Sequence, residues 1–141
     1  MRNISICFLF TVALVFSGML YAQEEEPHKF VMTTWERLYP EGSSQAEFDS
    51  LGIFYRENVV EKNEFILGEQ VMWHYYGNNS SDFVVIHEFK NWADIDKSGN
   101  RNGELIKEAI PDNEKRQKFW KEFNKYFGKH SDEIYKGRIS K

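Results

Sequence analysis

The stretch QVMWHYYGNNSSDFVVIHEFKNWADI, Gln70 to Ile95, decides the fold. Two runs rich in aromatic and β-branched residues flank the polar turn GNNSS, and so short a connection makes them an antiparallel hairpin. With the turn at Gly77 to Ser81, Tyr76 pairs with Asp82. His74 then lies opposite Val84, Met72 opposite Ile86 and Gln70 opposite Glu88 on one face. Trp73 opposite Val85, Tyr75 opposite Phe83 and Val71 opposite His87 occupy the other. Side chains alternate along a strand, so this division survives any even shift of register and inverts only with a bulge. The more apolar second set suits packing against helices. The first set suits the wall of a cavity, with polar groups among aliphatic ones.

Working outward, KFVMTTWERL (Lys29 to Leu38) predicts a first strand, and YPEGSS a loop. Ser44 and Glu47 have capping-box spacing, in which each side chain can satisfy a backbone N–H at a helix start. Phe48, Leu51, Tyr55 and Val59 continue at helical steps to about Asn63. The second strand is expected from about Leu67 to Tyr76 and the third from Asp82 to Lys90. A helical segment begins at Trp92, is loosened by SGNRNG and resumes in ELIKEAI. After Pro111 and Asp112 comes a helix with the apolar stripe Phe119, Trp120, Phe123, Tyr126 and Phe127, stopped by Gly128. DEIYKGRI (Asp132 to Ile139) is a candidate closing strand.

The order β-α-β-β-α-β is the α+β, ferredoxin-like arrangement: one antiparallel sheet with the helices on one face. The other face is not a simple wet one, because the third strand is apolar on both parities. A second copy stacking its sheet there would cover it, so a homodimer is expected.

The WHYYGNNSSD hairpin, the strand FVVIHEF running into KNWADI, and the late HSDEIY element together resemble the dimeric α/β-barrel superfamily. That group includes antibiotic-biosynthesis-monooxygenase-like and stress-responsive barrel proteins. The resemblance spans nearly all of the chain after its first segment and implies the dimeric barrel. The group hosts cofactor-free monooxygenases, isomerases and haem proteins, and no one member's catalytic pattern is matched.

The first 22 residues read as a signal peptide: Arg2, then the apolar run Ile6 to Phe16, too short to cross a bilayer comfortably, with cleavage expected after Ala22. Residues 23–29 are expected to be a flexible leader and 30–141 a single domain, exported to a periplasmic or extracellular location. Loss of the signal leaves 17 basic residues against 22 acidic, a net charge near −5. That balance gives no footprint for nucleic acid or for an anionic membrane. It also removes Cys7, the one cysteine. Thiol nucleophiles, zinc–thiolate sites and iron–sulfur clusters are thereby excluded, and the core must be stable without disulfides.

Of the candidate site residues, His74 and Glu88 share a face and could move a proton, His74 as base and Glu88 as its orienting partner or acid. Glu88 could equally pair near the start of the Trp92 helix. His74 and His87 point to opposite faces, so neither a shared metal ion nor any other cofactor is expected. A haem on one of them would announce itself by a Soret band. Met72, Tyr76 and Ile86 would line the ligand cavity with Trp35 and Trp73 nearby. Trp35 and Arg37 could hold an aromatic or anionic ligand, or form a wall or surface pair. Three functions stand open: binding of a small apolar or aromatic molecule; a cofactor-independent monooxygenase or proton-transfer isomerase using His74; and a structural or stress-related dimer with a filled lumen.

Overall fold

The computed structural model describes residues 26–78 and 80–138. The expected signal peptide, Asn79 in the hairpin turn and Ile139 lie outside them. The elements are β1 (His28–Arg37), α1 (Gln45–Tyr55, continued by a π-turn at Arg56–Val60), β2 (Gly68–Trp73), β3 (Asp82–Phe89), α2 (Trp92–Ala109), α3 (Asn113–Asn124) and β4 (Phe127–Gly137). The sheet is antiparallel throughout in the order β2-β3-β1-β4. This is the ferredoxin-like α+β fold, with the second helical region divided into α2 and α3.

The hairpin register differs from the expected one by two residues. Trp73 pairs with Phe83 and Met72 with Val84, and β2 stops at Trp73, where His74 N donates to Asp82 O at 3.2 Å. β2 ends at Trp73 and β3 begins at Asp82, so the connection is longer than a tight turn, and Gly77 within it sits at φ +134°. An even slip keeps every side chain on its face. Val31, Trp35, Val71, Trp73, Phe83, Val85, His87 and Phe89 therefore share one side. Phe30, Met32, Thr34, Gln70, Met72, Val84, Ile86 and Glu88 share the other.

The first side carries the core. Phe48 of α1, Phe83 and Tyr126 are buried together, with Trp35, Leu51, Val85, Phe123 and Phe127 against them. A second cluster, Val59, Leu105 and Ile106, joins the helices to one another. Neither cluster includes a residue of the opposite side, where Met72 and Tyr135 are about half exposed.

Ser44 caps α1 by accepting from Glu47 N at 3.1 Å. Glu47 does not return the bond. Its carboxylate turns across to Lys125 Nζ at 3.0 Å and to the Tyr126 hydroxyl, and that hydroxyl meets Ser44 N at 3.4 Å instead. In the π-turn, Glu61 N donates to Arg56 O, and this wider loop lets the adjacent Val59 and Val60 both be buried.

The loosening expected at SGNRNG does not interrupt the helix; α2 is continuous for 18 residues. Support comes from elsewhere in the chain. Buried Asn63 donates to Ser98 O at 3.0 Å and to Asn102 Oδ1 at 2.7 Å, while its own oxygen accepts from Phe65 N. The last helix ends at Asn124, so Tyr126 is a buried turn residue and Gly128 lies in β4. β4 starts five residues before the expected Asp132, because Phe127 already pairs with Arg37. β1 begins at His28, one residue before the expected Lys29 and inside the expected leader.

Candidate functional site

The hairpin end of the sheet holds two adjoining depressions that share Trp73, His74 and Asp82. One, of about 350 Å³, opens towards α1 and is completed by Arg37, Gln45, Asp49 and Ser80. The other, of about 360 Å³, opens on the helix-free face and is completed by Thr34, Met72, Asn78 and Val84. Strand ends supply these side chains: β2 delivers Met72 and Trp73, β3 Asp82 and Val84, and β1 Thr34 and Arg37.

His74 sits at the seam. Its backbone is tied to β3, and its ring lies under Gly77, where an added Cβ would come within 3.0 Å of His74 Nε2. His74 Nδ1 is buried and has no hydrogen-bond partner among the described residues. Arg37 is held from three sides. Its guanidinium carbon lies 4.5 Å from the Tyr39 ring centre and 5.0 Å from that of Trp73, and Nη1 donates to Gln45 Oε1 at 3.0 Å. Gln45 in turn donates to Asp49 at 2.6 Å. Arg37 Nε, like His74 Nδ1, is buried without a partner among the described residues. A buried polar atom left unpaired costs about 1–3 kcal/mol, so two at one site mark it out from the rest of the fold.

The structure brings only part of the expected constellation together. Met72, Trp73 and His74 line the depressions. Glu88 shares the helix-free face but stands at the far end of β3, six residues from Asp82 and so roughly 20 Å away. Its carboxylate accepts from or shares a proton with His28 Nδ1 at 2.5 Å. Glu88 is therefore not the partner of His74. Ile86 lies on the intended face between the two ends. Tyr76 falls beyond the end of β2 and is 94% exposed, so it lines no wall. Trp35 points to the helices, packing edge-on to Phe127 and tilted on His130 at 4.2 Å; it and Arg37 do not form one pair. Residues not singled out, Gln45, Asp49 and Asp82, join Arg37. The usable signal was a cation ending a strand between aromatic residues, Trp35 and Tyr39.

His87 is on the helix face, with Nε2 3.2 Å from Glu69 Oε1. Tyr55 stacks beside Trp120 and Phe123, and burial, then the Glu69 charge, raises its phenol above the ordinary value. His87 and His74 are separated by most of the β2–β3 ladder.

No family model matches the sequence, and no curated protein does. Solved structures do match. A candidate antibiotic biosynthesis monooxygenase from Caulobacter crescentus superposes with TM-score 0.52 at 10% identity, over 82% of this chain and 93% of its own. The two chains share a fold. A conserved protein from Methanosarcina mazei Go1 shares this fold (TM-score 0.51, 15% identity, 81% and 96% covered). So does a nipsnap family protein of unknown function from Agrobacterium tumefaciens (0.50, 12%, 83% and 95%). At such identities the likeness concerns the fold alone.

Proposed function

We propose that this chain is an exported, homodimeric protein that binds a small apolar or aromatic molecule at the hairpin end of its sheet. The observation that carries the reading is His74 Nδ1, buried and unpartnered at the seam of two depressions. Met72 and Val84 offer apolar contact, while Thr34, Asn78 and Asp82 offer a few polar points. Apolar walls with sparse, convergent polar groups suit a small ligand. The helix-free face supports the dimer: Phe30, Met32, Val84 and Ile86 form an apolar strip that no helix covers.

Native mass spectrometry of protein recovered from the exported fraction tests this reading. A dimer carrying extra mass is expected, with the mass lost in a Met72→Asp, Val84→Asp double variant. A monomer without adduct would sink it.

A second reading, a cofactor-independent monooxygenase or proton-transfer isomerase, is favoured by the same free nitrogen and by the fold shared with the Caulobacter protein. An imidazole nitrogen with no protein partner can take a proton from a bound hydroxyl or activated C–H. Glu88 has no part in it. His74→Ala would abolish turnover with the fold intact, and activity surviving in that variant would end the idea.

A further inference from the structure

The charged clusters away from the hairpin are closed on themselves. Arg101 is shared by Glu64, Glu104 and Glu108, and Lys125 by Glu47 and Glu122. Arg37 is not closed. Two aromatic rings fix the plane of its guanidinium, and Gln45 occupies Nη1, which leaves the Nε–Nη2 edge with Nε buried and unpartnered. That edge is a pair of parallel N–H donors, the geometry that matches the two oxygens of a carboxylate. From it the shared residues Trp73 and His74 lead to Met72 and Val84 in the second depression.

We infer that the ligand of this site is a monocarboxylic acid with an apolar or aromatic body, gripped by Arg37 and laid across Trp73 towards Met72 and Val84. The inference rests on the small-molecule reading above and narrows it. Two carboxylates lie nearby. Asp49 is tied to Gln45 yet keeps its charge, so the incoming acid faces the like charge of both Asp49 and Asp82. They weaken binding of one carboxylate and discriminate more strongly against dianions.

Isothermal titration of the purified chain with 2-naphthoate and with 2-naphthamide, equal in shape and different in charge, tests the assignment. The wild type is expected to bind naphthoate at least tenfold more tightly. In Arg37→Gln the preference falls to within twofold, and Arg37→Lys, which keeps the charge without the fork, restores only part of it. Circular dichroism shows whether the variants are folded. Asp82→Asn, which removes a like charge outside the aromatic clamp, is expected to strengthen naphthoate severalfold more than it changes naphthamide. Equal binding of the two probes, or a preference that survives in Arg37→Gln, overturns the assignment while the small-molecule reading stands. Binding of neither probe counts against both.

Discussion

At one end of the β2–β3 ladder, Glu88 and His28 hold each other at 2.5 Å, and Gly68 leaves room for the Glu88 carboxylate beside the backbone. At the other, His74 and Arg37 each keep a buried nitrogen without a partner. Both ends combine a histidine, a carboxylate and apolar neighbours, so composition does not separate them. Satisfaction does. A pair closed on itself contributes to stability and has no capacity left for a ligand, whereas an unmet donor lowers stability and gains by binding. Damage at the closed end should therefore be read in unfolding, and damage at the open end in affinity.

The largest expected effect is at the closed end. Phe89→Ala, which truncates a buried ring, should cost about 3–5 kcal/mol in denaturant unfolding. Trp73→Ala at the open end, where the ring is half exposed, should cost clearly less. An equal loss would break the contrast. Next, Glu88→Ala strands His28 and should cost about 1–2 kcal/mol. His74→Phe, which replaces an unsatisfied group by an apolar ring, should change stability by less than about 1 kcal/mol while removing ligand binding. Gly77→Ala tests what holds His74 in place. The positive φ and the 3.0 Å approach to its ring should lower stability by about 1–2 kcal/mol and weaken binding too. A variant stable and fully binding would show that the turn does not position the ring.

The smallest effect lies outside the hairpin. Hydrogen bonds from Tyr126 and Lys125 hold the Glu47 carboxyl below its usual range. Such a group adds stability above the unfolded carboxylate value, and that contribution fades as pH falls through the lowered one. Glu47→Gln should therefore flatten the decline in Tm between about pH 6 and pH 3. An unchanged slope would mean that exposure to solvent screens the interaction away.

What was legible in the sequence was what repeats locally. Alternation in Phe83 to Phe89 assigned both faces correctly even though the register was off by two, because a parity argument is indifferent to an even slip. The Ser44 cap and the order of elements were legible for the same reason. What was not legible depended on residues far apart in the chain. Nothing near SGNRNG announces that Asn63 will hold it helical, and nothing near Glu47 announces Tyr126. The site divided in the same way. Met72, Trp73 and His74 are consecutive in the chain and were found together. Arg37, Gln45 and Asp82 come from β1, α1 and β3, and their meeting is a product of the assembled fold.

The buried Asn63 amide has a consequence for the order of assembly. Gly99 and Gly103 give the middle of α2 poor intrinsic helicity, and its support arrives from a loop before β2, 35 residues away in sequence at Ser98. That middle cannot act as a folding nucleus. Its two flanks can coil early, but the joint between them sets only when the loop docks, so amide protons at Ser98 to Gly103 should exchange before those of the flanks.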